Sequence, residues 1–404
     1  MSRWLHEVPL YRRPGPSMAP HPGADWIRDF RLLPPITKED IRQGFPGNFL
    51  PAGVRLDDLL ERGLVELEST SGTTDDAIPL LLERGGWARQ EAAALHLNAD
   101  VRAHWTPSVR RITITSPLCN HDISYQGTPT AADRVVGDAL FLNLNRHPFL
   151  WTTARLDAMI EEAFDWRPIF LDCDPVYGLV FARHCRRRGV RLPSLRFVVS
   201  SYGFLSLCHR RLLASAFEIP VYNLYGATET GHLLMEDEQG ALRPSPSTAW
   251  LEILHPDSDG IGDLVVTTLW NPSMPLIRYS IGDLVSCQSG IGGESYRVHG
   301  RARDALATAA GRRITVAHID AQVSLAEGVI HYQLNQLGPD RFHLRWIPDD
   351  RADIPSTEQA LRRHLSPLLE NPRQLQIESI EAILGEPSGK FRLAARRDLP
   401  PAGR

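Results

Sequence analysis

The middle of the chain alternates two hydrophobic periods. Leu156, Met159, Ile160, Ala163 and Phe164 recur at the three- and four-residue spacing of one helix face, and Leu205, Cys208, Leu212 and Phe217 repeat the pattern further on. Around them lie short apolar runs, Leu195 to Val199, Val221 to Leu224 and Leu264 to Leu269, which read as buried strands. Helices interleaved with such strands predict an α/β domain. After Arg303 the texture changes. Ile330, Tyr332 and Leu334, then Phe342, Leu344 and Trp346, alternate on either side of Gly338-Pro339-Asp340, as in a hairpin. Ala360, Leu361, His364, Leu365, Leu368 and Leu369 form a helical stripe stopped by Asn371-Pro372, and Leu375 to Leu384 reads as another strand. The expected fold class is therefore α/β: a large, layered N-terminal α/β domain, residues 1–302, followed by a small, mobile C-terminal α+β domain, residues 303–404. Residues 1–60, rich in proline, arginine and glycine, read as a lead-in that wraps the larger domain.

Composition narrows the function. At 404 residues the chain exceeds the size at which a single core keeps growing, and an apolar fraction of 43% supplies two. The charge is 44 basic against 48 acidic residues, or -4, with no long basic block, which argues against a nucleic-acid arm or a polybasic membrane anchor. A small-molecule partner is favoured. No signal-peptide core follows Met1, and nowhere do 18 apolar residues run together, so a cytoplasmic location is expected. Cys119, Cys173, Cys185, Cys208 and Cys287 form no C-x-x-C pair and read as reduced thiols. Cys119 stands near His121 and Asp122, a combination that could ligate a metal or build a nucleophile, although four tetrahedral ligands are not visible. The arginines and lysines outside the motifs below read as surface charge.

Five polar clusters carry the candidate chemistry. Glu68-Ser69-Thr70-Ser71-Gly72-Thr73-Thr74 offers hydroxyl and backbone donors in a turn flexible enough to wrap a polyphosphate, although such runs are common in solvent loops. Tyr225-Gly226-Ala227-Thr228-Glu229 follows a strand-like run, which puts it at the carboxyl edge where open α/β sheets bind ligands; a turn with a helix cap is the plainer alternative. Asp283, in Arg278-Tyr279-Ser280-Ile281-Gly282-Asp283, lies between apolar runs and needs hydrogen-bond partners if buried, or else sits in a hairpin turn. Gly300-Arg301-Ala302-Arg303-Asp304 and Pro387-Ser388-Gly389-Lys390 complete the set; alone, the first reads as a surface ion pair and the second as a solvated lysine turn. No Walker-type loop is present.

In this order the clusters resemble the adenylate-forming superfamily of acyl-CoA synthetases. Val8-Pro9-Leu10-Tyr11-Arg12, Leu33-Pro34-Pro35-Ile36-Thr37-Lys38-Glu39-Asp40 and Leu276-Ile277-Arg278-Tyr279 look like its phenylacetate-CoA ligase branch. The resemblance implies an enzyme that uses ATP and Mg2+ to make an acyl- or aryl-adenylate and passes the acyl group to a thiol, by default coenzyme A. It assigns the triphosphate to Ser69, Ser71, Gly72, Thr73 and Thr74, and the adenine side to Ser201, Tyr202, Gly203, Tyr225 and Gly226. Thr228 would meet the α-phosphate, Glu229 would hold magnesium, Asp283 the ribose, and Arg301 would contact the nucleotide. Asp304 would be the hinge, and Lys390 would enter the site from the small domain during adenylation. From chain order, His121 and Tyr125 would line a pocket for a substituted aromatic acid. Asp75-Asp76 replaces the family's usual continuation of the phosphate loop and puts two negative charges beside a polyanion. A carrier protein or an amine in secondary metabolism is the alternative acceptor, a homodimer is compatible with the pattern, and no nucleic acid or membrane is expected. A regulatory homologue that kept nucleotide binding and lost turnover is the alternative of another class; Asp75 and Asp76 favour it, and the joint presence of Glu229, Asp283 and Lys390 opposes it.

Overall fold

A computed structural model describes residues 2–12, 30–70, 77–106, 108–119, 123–125, 127–290 and 292–397. The chain forms two compact units and crosses between them several times: residues 1–98, 225–235 and 241–296 make the first, and residues 99–224, 236–240 and 297–404 make the second. Each is built by its own rules.

The second unit holds a mostly parallel sheet in the order Val135–Val136, Ala139–Phe141, Arg111–Ile114, Phe170–Cys173, Phe197–Ser200 and the start of Val221–Ala227. Every residue of Phe170–Cys173 and Phe197–Ser200 is buried, as expected of strands covered on both faces. The intervening helices start where sequence provides a cap. Thr152 caps Thr153–Trp166, Asp174 with Pro175 behind it caps Pro175–Arg188, and Ser206 caps Leu207–Phe217. Their apolar stripes bury Met159, Ile160, Phe181 and Leu213 against Ile112, Leu171 and Val198. The two helices expected around 156–164 and 205–217 are both present.

Within the same unit, residues from 306 onward add a four-stranded sheet in the order Gln374–Ser379, Arg341–Pro348, Val329–Gly338 and Ala394–Arg396. The helices Val316–Val323 and Ile354–Leu368 cover it, and Tyr332, Leu334, Phe342 and Trp346 are buried with Ile319, Leu361 and Leu365. The expected hairpin around Gly338-Pro339-Asp340 is there, while the strand expected over 375–384 stops at Ser379. Ile380 N donates to Trp346 O, and the chain then leaves the sheet so that Ile383 can bury beside Leu179, Leu212, Ile330 and Ile347. Apolar periodicity alone does not distinguish a paired strand from a coil that buries the same residues.

The first unit contains the hairpin Val65–Ser69 with Pro79–Glu83 and the antiparallel run Ala249–Leu254, Gly262–Thr268 and Tyr279–Gly290. The lead-in is stitched to that run. Ile36 N donates to Arg278 O and Ser280 N to Ile36 O, each at 2.9 Å. Arg278 is buried, pairs with Glu252 at 3.1 Å and donates to the carbonyls of Arg31 and Leu33. Arg134 in the second unit is likewise buried and paired with Glu162 at 2.7 Å. Arg134, outside the motifs, is not the surface charge that its residue type suggested; each of the two arginines has a carboxylate and carbonyls to satisfy it.

Candidate functional site

In the first unit two carboxylates are held by tyrosines. Asp283, 6% exposed, accepts the hydroxyl of Tyr225 at 2.6 Å, so the buried acid has a partner of the kind burial demands. Glu229, also 6% exposed, accepts the hydroxyl of Tyr279 at 3.0 Å through Oε1, and no hydrogen bond reaches Oε2 among the described residues. Gly226 is fixed by its neighbours: a Cβ there would lie 2.2 Å from the Gly231 carbonyl oxygen. Thr228 is half-buried between them in sequence. Ser69 ends the strand Val65–Ser69 and is exposed, and Thr70 clamps the base of the hydroxyl-rich loop, donating its N–H to Ile78 O and accepting Ile78 N–H through Oγ1. Ser71, Gly72, Thr73, Thr74, Asp75 and Asp76 lie outside the described residues.

In the second unit, Ser116, Asp174 and Ser201 follow the carboxyl ends of three adjacent strands. Ser201 Oγ and Tyr202 Oη donate to Asp172, at 3.4 and 2.8 Å, and the hydroxyl anchor holds Tyr202 in a left-handed conformation, φ 66°, that a tyrosine rarely adopts. Gly203 passes so close to Asp174 that a Cβ would meet Oδ2 at 3.1 Å. Asp174 Oδ1 accepts the N–H of Val176 and Tyr177, and burial pushes its carboxyl up to about 6 against the pull of those bonds and of the Lys390 charge.

The turn that carries Lys390 is docked on this same edge through its main chain. Ser116 Oγ donates to Ser388 O at 2.8 Å, the Tyr177 hydroxyl lies 3.0 Å from Gly389 O, and the Arg146 guanidinium donates to Pro387 O at 2.6 Å. Gly389 has φ 79°, and a Cβ there would lie 2.4 Å from Ser116 Oγ and 2.8 Å from the Tyr177 hydroxyl oxygen. Lys390 is half-buried, and its ammonium forms no ion pair among the described residues. Two residues on, Arg392 pairs with Glu386 at 2.7 Å and with Asp304 at 3.4 Å. Asp304 is buried rather than a surface partner, and burial raises its carboxyl against the charges of Arg392, Arg303 and Arg301. Arg301, half-buried, ends the strand Gly293–Arg301.

The remaining candidates are scattered. Tyr125 is half-buried with its hydroxyl unpartnered among the described residues, and burial pushes that hydroxyl up to about 12. His121 and Asp122, and with them the test of a metal or nucleophile beside Cys119, lie outside the described residues. Cys173, Cys185 and Cys208 are buried, and burial raises all three thiols away from reactivity. Among the described residues no group of three or more metal-ligating side chains gathers, and no helix is long and apolar enough to cross a membrane. Sequence reasoning did not flag Ser116, Arg146, Asp174, Tyr177 or Arg392. Only Asp174-Pro175 carried a local signal, that of a helix start.

The comparisons with known proteins bear on the whole chain. The phenylacetate-coenzyme A ligase of Thermus thermophilus is 25% identical over 296 residues, 69% of this chain and 61% of that protein. A solved 2-hydroxyisobutyryl-CoA ligase, in a postadenylation state with 2-HIB-AMP, superposes with a TM-score of 0.71 over 98% of this chain and 86% of that one, at 17% identity. The chain has the adenylate-forming ligase fold. Protein CapK of Staphylococcus aureus is a further relative, 25% identical over 190 residues, 45% of this chain and 42% of its own. The matched region thus spans about three fifths or less of these curated relatives. No protein-family model matches the chain.

Proposed function

We propose that the chain activates a carboxylic acid with ATP and then transfers the acyl group to a thiol, coenzyme A before other acceptors. In the first step a carboxylate oxygen attacks the α-phosphorus, the bond to the β-phosphate breaks, and pyrophosphate leaves. In the second a thiolate sulfur attacks the acyl carbonyl and AMP departs. The observation that carries this reading is the seat of Lys390: a cation that forms no ion pair among the described residues, acts on the Asp174 carboxyl only at a distance, and is held at the carboxyl edge of a parallel sheet by a clamp on its neighbours' main chain. A charge so fixed is preorganised for an oxyanion that develops on the α-phosphate.

The other roles follow the resemblance and the chemistry of each group. Asp283 would accept the ribose hydroxyls and Tyr225 would lie against adenine. Thr228, Arg301, Ser69 and the loop through Thr74 would meet phosphate, and Ser201, Tyr202 and Gly203 would border the adenine. Glu229 suits a magnesium ligand, since Tyr279 orients one oxygen and leaves the other open; the ion would neutralise charge on the leaving pyrophosphate. Residues from 303 onward would turn about Asp304 between the two steps. The name of the Thermus thermophilus relative favours an aryl acid, with Tyr125 and His121 beside the ring, and a carrier-protein thiol or an amine is the second acceptor to try.

A panel of aromatic and short aliphatic acids, read by ATP–pyrophosphate exchange and then by consumption of coenzyme A, tests the reading. Exchange with at least one acid is expected. Nucleotide binding without exchange on any acid would overturn it in favour of a regulatory role.

A further inference from the structure

A buried histidine pair lies where the C-terminal segment meets the helices of residues 99–224, inside the second unit. His209, on Leu207–Phe217, and His331, on Val329–Gly338, are both fully buried, with His209 Nε2 and His331 Nδ1 3.0 Å apart. One ring must donate to the other, and burial disfavours the charged form of either. The outer nitrogens, His209 Nδ1 and His331 Nε2, are buried with no hydrogen-bond partner among the described residues. The surroundings are apolar: His331 stacks on Phe149 at 5.5 Å and meets the edge of Phe391 at 5.6 Å. Phe391 follows Lys390 and also meets Tyr177, whose hydroxyl holds the Lys390 turn. The pair therefore underlies the seat of that turn without touching it.

We propose that His209 and His331 form a proton-operated latch: the neutral pair lets the C-terminal segment seat with Lys390 at the sheet edge, and a proton taken up by either ring unseats it. The proposal rests on the reading above in one respect, that this segment moves. A buried imidazolium here would have no anion to answer it. Burial alone acts on His209, and burial and His209 act on His331, so no carboxylate compensates. The acids on the same seam have other partners: Asp350 with Arg183 and Arg187, Asp349 with Arg186, and Asp320 with Ser206, Leu207 N and Tyr332. Asp350 lies down at about 2 and does not titrate in the range of a histidine. Burial raises Asp320, so its protonation would favour the seated form in acid, the opposite sign.

The sign of the latch is set by burial. It depresses His209 to about 3, and with His209 beside it holds His331 well below its ordinary value. The seated form therefore binds fewer protons than the unseated one. Seating is at full strength above about pH 6.5 and weakens as pH falls through that value. At pH 5.5 each exposed imidazole would be favoured about tenfold in its protonated form, so the pair shifts the seating equilibrium on the order of 100-fold between pH 8 and 5.5.

Hydrogen exchange of the full chain, read by mass spectrometry and corrected for the chemical exchange rate, tests this without turnover. Peptides covering 207–217, 329–338 and 386–392 should lose protection about 100-fold over that range, while 153–166 stays protected. The His209→Phe, His331→Leu double variant should keep protection at both pH values. If it does not fold, His209→Asn should show about half the logarithmic response of wild type. Unchanged wild-type protection, an equal response in a folded variant, or a parallel loss at 153–166 would each overturn the latch. An inactive acid panel would sink the catalytic reading and leave this measurement standing.

Discussion

Two regions of the molecule secure their charged groups by opposite means. Asp283 and Glu229 in the first unit are gripped at the side chain, each carboxylate receiving a tyrosine hydroxyl. Lys390 in the second unit is gripped through Pro387, Ser388 and Gly389, whose carbonyls are held while the ammonium is left without an ion pair among the described residues. A side-chain grip couples the identity of a residue to its neighbour. A main-chain grip separates position from chemistry, so the lysine can be removed without disturbing what placed it.

The sharpest way to break that contrast is Lys390→Ala. Loss of one preorganised cation should cut ATP–pyrophosphate exchange by about 10² or more while leaving the thermal midpoint unchanged, and transfer from supplied acyl-AMP should suffer little. A folded variant with an unaltered exchange rate removes Lys390 from the first step. Asp283→Ala should weaken ATP binding by about 1.5–3 kcal/mol, the range for hydrogen bonds to a charged group, with acid binding nearly intact by calorimetry. Equal loss of both ligands would point to general misfolding, as a side-chain grip on Tyr225 allows.

Asp174 gives the comparison a pH dependence. Its carboxyl is raised to about 6 in the folded chain, above its ordinary 3.8, so its contribution to stability is present below about pH 4 and is lost as pH rises through 6. Asparagine caps a helix about as well as aspartate, so Asp174→Asn should flatten that slope, a relative gain of about 1–2 kcal/mol at pH 7.5. Parallel unfolding curves for the two proteins from pH 4 to 7.5 would refute the burial argument. The smallest effect belongs to Tyr177→Phe, which loses the hydroxyl proton shared between the Gly389 and Arg146 carbonyls, each at 3.0 Å, about 0.5–1.5 kcal/mol or a several-fold slower adenylation. Added to Lys390→Ala it should cost nothing further in that step, since it acts through the lysine. Additive losses would show that Tyr177 has a role of its own.

The same contrast explains what the sequence disclosed. Periodic stripes such as Leu156 to Ala163 and Leu361 to Leu365 placed their helices because burial and spacing agree. Lys390, Asp283 and Glu229 stood out as candidates because chemistry tied to a side chain leaves a residue type at a fixed place in a motif. Ser116, Arg146 and Tyr177 were not. They bind carbonyl oxygens, which every residue has, and Ser116 does so across 272 residues of chain. Buried Arg134 was hidden for a related reason: its carboxylate partner, Glu162, is 28 residues away, and residue type alone says surface. The overlong strand after Leu375 shows the limit of apolar pattern where the backbone, not the side chain, decides the element.

A clamp that reads only carbonyl oxygens is indifferent to spelling. Over generations the exposed side chain of Pro387 can drift with its docking intact, whereas Ser388 is buried and its hydroxyl accepts the Lys390 N–H. Gly389 is fixed as well, because one added methyl would press on Ser116 and Tyr177 together. That single carbon is a wedge against the docking of the turn, added without altering Lys390 itself.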